Sequence, residues 1–538
     1  MFVSSTTARS TVVALVCAFA LHLAFPLTTW WWLAPFSAAG LVWAWSNLPP
    51  RVAALVGYAS GLLFFTLGFA WFGETAGALI GPAAPILDLG PAVVEALAFA
   101  FAAAVTSLAA RHCDARAVPF VAAAAFTLAE QVRSSTALGV PLEQLGTTMV
   151  DSPLRPLAAF AGGYGLTFVT MLLGAALGWW LARPGPQRAR LAIGIWAAVA
   201  VCVGLAYAAW PARHYALPTR RVAALQGGIA QSIKRSDTGL ALGLDRYTKM
   251  TLALRAQHPS LVLWPETVIT ADLLRVPPLR ARFAHLADTL GATLYVGAFW
   301  DNGTKYENAL LIYDPRANQN DVARLYVKEQ LVPFAEYVPG PAWLRSLPYA
   351  NEIGAFAPGT NAAETYAGAT ALICWESLFG DIAHARLKDD PSLILIATDD
   401  AWFGTTEGPY EHAQAASLRA VETGRWVLRA GATGISGIVA PDGRWTQRTA
   451  LGGVATVVGD VGAPAPGPYA ALGPAPVGFA MAAIAGLPFL VSFARRRARC
   501  SGGSRCRFSR SRSWRGSASR SDRPAAKSSS RARPVPIR

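Results

Sequence analysis

The chain has 538 residues, of which 53% are hydrophobic and only 15% charged, with 18 Trp; this excludes a wholly water-soluble protein and is too long for one ordinary domain. The net charge of +15 invites a nucleic-acid partner, but residues 495–538 hold 15 Lys or Arg and one acid. Taking these from the totals of 47 and 32 leaves 32 basic against 31 acidic residues, so no nucleic-acid partner is expected.

Apolar runs approaching the roughly twenty residues that cross a bilayer occur at 11–27, 30–46, 53–72, 91–110, 117–134, 160–182 and 190–210, with another at 472–494. The first run has no small-residue cleavage site before Pro26, so it is read as a span and not as a signal peptide. Arg9, Arg51, Arg111, Arg116, Arg183, Arg188 and Arg190 fall in alternate connections, while the loops around Thr28 and across Gly73–Gly90 carry no Lys or Arg; Arg133 and Arg155 are the exceptions. The positive-inside rule then puts both termini in the cytoplasm and the segment after the seventh span outside. The expected division is a bundle of about seven helices over 1–214, a catalytic domain over 215–468, a membrane helix over 469–494 and a disordered basic tail over 495–538, held near anionic headgroups.

Residues 215–468 alternate strand-like and helical runs, as expected for a layered α/β domain with one core. Strands are predicted at Arg221–Leu225, Leu261–Trp264, Thr293–Gly297, Ala309–Tyr313, Ala369–Cys374, Leu393–Thr398, Trp426–Ala430 and Ile438–Ala440. Helices are predicted at Leu240–Ala256, Pro277–Leu290 and Glu411–Thr423.

Three polar residues stand at the mouths of apolar runs in this domain: Glu266 in Leu261-Val-Leu-Trp-Pro-Glu-Thr267, Lys328 after Leu325-Tyr-Val, and Cys374 after Ala369-Thr-Ala-Leu-Ile. A carboxylate, an ammonium and a thiol in such frames make a general base, an oxyanion stabiliser and a nucleophile. Of the six cysteines, Cys17, Cys113 and Cys202 lie in or beside apolar spans, and Cys500 and Cys506 lie in the tail; only Cys374 falls in the polar domain. No disulfide framework follows. The seven histidines are scattered, so neither a metal nor a cofactor is expected, and His412 reads as a packing or surface residue.

With these residues in place, the domain resembles the nitrilase or carbon–nitrogen hydrolase superfamily, and within it the membrane-bound branch of bacterial apolipoprotein N-acyltransferases. Gln226-Gly-Gly-Ile-Ala-Gln-Ser-Ile-Lys234, Leu331-Val-Pro-Phe-Ala-Glu-Tyr-Val-Pro339 and Asp400-Ala-Trp-Phe-Gly404 resemble that branch's motifs, as do Asp151-Ser-Pro-Leu154 and Gly162-Gly-Tyr-Gly-Leu166 in the membrane part. The resemblance implies a polytopic helical membrane bundle of about eight spans, joined to an extracytoplasmic α-β-β-α sandwich with a Glu-Lys-Cys triad. It implies an inner-membrane enzyme that moves a fatty acyl chain from a phospholipid to the N-terminal amine of the diacylglyceryl-cysteine of apolipoproteins. Glu336 and Glu376 belong to the site by the same resemblance, orienting Lys328 or shaping the acceptor pocket. Trp30–Trp32, Trp402 and Phe403 read as interfacial anchors or acyl-chain contacts.

The alternatives are a membrane-anchored amidase or nitrilase-type hydrolase, with water as acceptor, and a non-catalytic lipoprotein-binding protein. Three positions depart from the branch's usual residues: Arg235, Asp399 and Ala432. A carboxylate at Asp399 near Glu266 is expected to raise the pKa of the base and of the thiol.

Overall fold

The computed structural model describes residues 5–73, 89–135, 139–209, 219–234, 236–272, 276–317, 322–340, 343, 346, 354–360 and 365–501. Arg235, most of the Gly73–Gly90 loop and the tail beyond 501 lie outside them. The apolar runs form eight long helices. Seven precede the sandwich: α1 (Ser5–His22), α2 (Leu33–Asn47), α3 (Pro50–Gly68), α4 (Leu89–His112), α5 (Val118–Ser134), α6 (Ala158–Ala182) and α7 (Pro186–Ala209). Among the described residues, five helices are long and apolar enough to cross a membrane: those at 50–68, 89–112, 155–182, 186–209 and 475–497.

Close packing of α2 against α6 depends on small residues. A Cβ at Gly178 would come within 2.2 Å of Ala39 O, and one at Gly174 within 2.5 Å of Pro35 O. Gly162 interrupts α6 with φ of 64°, and the Tyr469 ring lies where its Cβ would point, 2.4 Å away. That left-handed turn is open to glycine and strained for other residues.

Arginines gather at one end of the bundle. Arg111 Nη2 donates to Leu48 O at 2.7 Å, Arg183 Nη2 to Ser46 O at 3.3 Å, and Arg188 Nη1 to Arg183 O at 3.1 Å. Arg133, an exception to the charge pattern, is buried and paired with Glu95 at 3.2 Å, so its charge is balanced locally. The opposite end meets the soluble part: Gln414 Nε2 donates to Asp151 Oδ2 at 2.5 Å, and Gly163 N–H to Glu422 Oε1 at 2.7 Å.

The soluble part is two facing sheets with helices outside. The first sheet runs β12 (Ala455–Val461), β1 (Arg220–Gln226), β2 (Leu261–Leu263), β4 (Thr293–Asp301), β5 (Tyr306–Tyr313) and β6 (Arg324–Val327), with β3 (Ile269–Asp272) also on β4. The second runs β11 (Trp445–Arg448), β10 (Gly437–Val439), β9 (Trp426–Gly431), β8 (Leu393–Thr398) and β7 (Ala369–Ile373). Strand alternation divides the apolar side chains. Val222, Ala224, Leu261 and Leu263 share the inter-sheet core with Ala371, Ile373, Leu395, Ala397 and Leu428. Ala223, Leu225 and Val262 face the opposite way, into a core with Leu254 and with Phe283 and Leu286 of α9 (Pro277–Leu290) beside α8 (Asp237–Ala253).

On the far face of the second sheet lies α10 (Gly408–Thr423), which is buried almost all round. Ala416 and Ala420 pack on the sheet, while Leu418 and Val421 pack into the core of the membrane bundle. The helix α11 (Ala475–Ser501) completes the apolar set and is covered by protein over only 6% of its apolar window.

The eight predicted strands are present with shifts of up to four residues at their ends. β3, β11 and β12 were not anticipated, and β6 only as the apolar run Leu325-Tyr-Val before Lys328. β11 and β12 carry charge or alternate in burial, and they lack the continuous apolar run that a strand covered on both faces shows.

We predict that Gly178→Val lowers the thermal stability of the purified protein by about 1–3 kcal/mol, because the added atoms overlap the α2 backbone. An unchanged melting temperature in detergent would show that α2 and α6 separate freely.

Candidate active site

Three strand ends build the site. β2 and β4 are parallel, β5 is antiparallel to both its neighbours, and so β6 runs with β2. Glu266 and Lys328 therefore leave the first sheet at the same end of its strands, where parallel strands present polar residues to a cleft. Cys374 follows β7 in the facing sheet and begins the 3-10 turn Cys374–Leu378.

Lys328 Nζ lies 3.2 Å from Glu266 Oε1 and 3.0 Å from Glu336 Oε1. Asn308 Nδ2 donates to both carboxylates, at 2.7 Å to Glu266 and 3.1 Å to Glu336. The second Glu266 oxygen accepts from Asp399 N–H at 2.8 Å, and Glu336 Oε2 accepts from Val332 N–H at 2.8 Å. Lys328 is 1% exposed and Glu266 5%, so these are charges held in low dielectric, each with several partners.

The charge states follow from this packing. Burial pushes the Glu266 carboxyl up, but Lys328, Asn308, Lys234 and the Asp399 N–H together bring it below the ordinary range. Burial also opposes the Lys328 ammonium, and Glu266, Glu336 and Cys374 more than offset it, holding its pKa above the usual lysine value. For Cys374, burial raises the thiol well above its ordinary value; Glu266 adds to this and Lys328 opposes it. The resting pocket thus holds a carboxylate, an ammonium and a neutral thiol.

Cys374 adopts φ of 51°, a left-handed backbone that is unusual outside glycine and asparagine. Its surroundings hold it there. Ser377 Oγ donates to its carbonyl at 2.8 Å, and His412 Nε2 lies 3.0 Å from the same oxygen. His412 Nδ1 is 2.8 Å from Asp400 Oδ1, and Asp400 Oδ2 accepts from Arg429 Nη2 at 2.8 Å. His412 is fully buried, so it is a packing residue with a defined polar task.

Glu336 touches Lys328 directly; Glu376 does not. Glu376 is fully buried and accepts from Ile373 N–H at 2.7 Å, Glu329 N–H at 2.7 Å, Gln330 N–H at 3.3 Å and Tyr326 Oη at 2.7 Å. It ties the end of β6 to the end of β7, and its link to Lys328 runs through the backbone. Burial raises its carboxyl above the ordinary range.

The expectation for Asp399 needs correction. Its carboxylate pairs with Lys234 Nζ, which also donates to Thr267 Oγ1 at 2.8 Å and to Glu266 O at 3.3 Å. The local cation balances it, and Glu266 ends below its ordinary pKa instead of above it. Ala432 is buried, and its N–H donates to Thr398 O at 3.0 Å. Phe403 is 5% exposed, with its ring 5.0 Å from Trp71 and 5.9 Å from His412, so it joins bundle to domain and is not an exposed interfacial anchor. Trp30 and Trp32 are half exposed and stack on each other at 6.4 Å.

Sequence reasoning missed Asn308 and Lys234. Asn308 offered one signal, as an amide followed directly by the apolar run Ala309–Tyr313; Lys234 sat unremarked at the end of a quoted motif.

Asn308→Ala removes one donor that holds Glu266 low, so the Glu266 pKa should rise and less carboxylate survive at a given acidic pH. The acid limb of the pH–rate profile should then move to higher pH, with the protein still folded. A limb that stays in place would show that the Asn308 bond does not reach the titrating group.

Two family descriptions match this chain: Apolipoprotein N-acyltransferase N-terminal domain over residues 17–176, and Carbon-nitrogen hydrolase over residues 221–461. Curated relatives named apolipoprotein N-acyltransferase include one from Pseudomonas aeruginosa, 32% identical over 77% of this chain and 82% of its own length. One from Methylococcus capsulatus is 31% identical over 81% of this chain and 87% of its own. Another from Haemophilus ducreyi is 29% identical over 81% and 88%. With a nitrilase-type sandwich, several membrane-length apolar helices and relatives that match across both, the chain belongs to the apolipoprotein N-acyltransferase family.

Proposed function

We propose that this membrane enzyme transfers a fatty acyl chain from a phospholipid to the N-terminal amine of the diacylglyceryl-cysteine of apolipoproteins, through a thioester on Cys374. The observation that carries this reading is where the thiol sits. Trp375 and Leu378, in the turn that Cys374 begins, and Phe379 directly after it belong to the hydrophobic core of the membrane bundle. A nucleophile at that junction meets acyl chains without their extraction from the bilayer, which costs about 0.8 kcal/mol per CH₂.

The chemistry runs in two halves. Glu266 takes the thiol proton as Cys374 Sγ attacks the ester carbonyl, and Lys328 balances the oxyanion. Collapse breaks the ester C–O bond, and the lysophospholipid oxygen leaves with the proton from Glu266. In the second half the acceptor amine attacks the thioester and gives its proton to Glu266. The C–S bond then breaks and the thiolate recovers the proton. Glu336 orients Lys328 through its direct contact, while Glu376 sets the backbone on which Lys328 and Cys374 stand.

A hydrolase would pass through the same thioester and release it to water.

We place eight spans across the inner membrane, both termini in the cytoplasm and residues 215–468 in the periplasm, ahead of the 469–494 helix and the 495–538 tail. In support, the connections after α1, α3 and α5 face the sandwich through His22–Glu407, Trp71–Phe403 and Asp151–Gln414, while Arg111, Arg183 and Arg188 cluster at the other end.

Enzyme incubated with a phospholipid labelled in its acyl chain should acquire a hydroxylamine-sensitive label. Cys374→Ala should acquire none, and Glu266→Gln and Lys328→Met should be slowed by at least about 100-fold. Supplying a diacylglyceryl lipopeptide should increase its mass by one acyl chain. Release of free fatty acid alone would favour the hydrolase, and label retained by Cys374→Ala would remove Cys374 from the mechanism.

A further inference from the structure

A second group of buried acids lies where the bundle meets the first turn of α10. His22 ends α1, Glu143 lies in the connection between α5 and α6, and Glu407 directly precedes α10. One ligand atom from each falls within 4.8 Å of the others, and His22 Nε2 is 3.9 Å from Glu407 Oε2. Glu411, one turn further on, accepts from Glu143 N–H. Nothing in the catalytic reaction uses any of the four.

Several polar atoms of this group lack partners. Glu143 is 2% exposed, and neither of its carboxylate oxygens has a hydrogen-bond donor; Glu411 Oε2 and His22 Nδ1 are likewise unmatched. The Glu143 carboxyl carbon occupies space that a Cβ on Gly68 would approach to 2.2 Å. The neighbouring cation is committed elsewhere: Arg133 pairs with Glu95 at 3.2 Å and donates to the Leu142 and Glu143 carbonyls at 3.1 and 2.6 Å. Glu130 adds further negative charge nearby, accepting from Leu145 N–H and Thr167. Buried carboxylates this close hold either protons or a cation.

Geometry and donor type favour the cation. Metal bonds of about 2.0–2.2 Å place two ligand atoms roughly 3–4.2 Å apart, so the cluster closes around an ion with small side-chain shifts. One imidazole with several carboxylates suits a divalent first-row ion such as Mn²⁺ better than the thiolate-seeking metals. We propose that His22, Glu143 and Glu407, with Glu411 beside them, form a binding site for a divalent first-row cation that fastens the bundle to the start of α10. Glu411 directly precedes His412, which braces the Cys374 carbonyl, so the ion also steadies the nucleophile's turn.

The test uses the untagged full chain in detergent, stripped with chelator and titrated with Mn²⁺. Loss of the free-ion signal in electron paramagnetic resonance counts bound metal, and thermal unfolding reads its effect. We expect one Mn²⁺ per chain with a raised melting temperature, and affinity weakened at least about tenfold in Glu143→Gln and in Glu407→Gln. Wild-type protein that binds no Mn²⁺ overturns the site and leaves protons on the carboxylates. Uptake by the two variants equal to wild type overturns the assigned ligands. If either variant fails to fold, His22→Gln gives the same reading.

Discussion

The active site depends on one buried cation. Lys328 is buried against Glu266 and the half-buried Glu336, and without it the two carboxylates would lie together with no cation between them. Removing one partner of such a set leaves an uncompensated charge, which typically costs 3–5 kcal/mol. Strand order, the Asn308 bridge and the Asp399 N–H all serve to hold that arrangement. The same charge helps hold the Glu266 carboxyl below its ordinary pKa, so in the proposed reaction one ion pair serves both folding and chemistry.

In the proposed reaction the rest of the molecule brings lipid to this pocket. α10 has one face on the second sheet and the other in the bundle core, so the membrane part and the sandwich share a hydrophobic layer. The segment that begins with Cys374 contributes Trp375, Leu378 and Phe379 to that layer. Membrane attachment here is part of the site's construction and more than a tether.

Much of this was legible in one dimension because the physics involved is local. Apolar runs mark helices, and Glu266, Lys328 and Cys374 each follow a strand that reads as continuous apolar sequence. What was not legible depends on pairing across distance. Asn308 joins Glu266 to Glu336 from another strand, and Lys234 cancels Asp399 from 165 residues away. Glu376 was placed at the site by resemblance, yet its role as a backbone clamp appears only in three dimensions. Phe403 misled because an aromatic in a membrane protein suits either lipid or a protein interface, and sequence alone does not separate the two.

The Glu376 clamp has a mechanical consequence. Its carboxylate holds the N–H groups of Glu329 and Gln330 on one side and of Ile373 on the other, beside the left-handed Cys374. The chain that leaves Gln330 runs on through Glu336, so any displacement of that loop is passed through one carboxylate to the thiol. In the proposed reaction, a substrate that moves residues 331–336 would act on the Cys374 turn through that carboxylate.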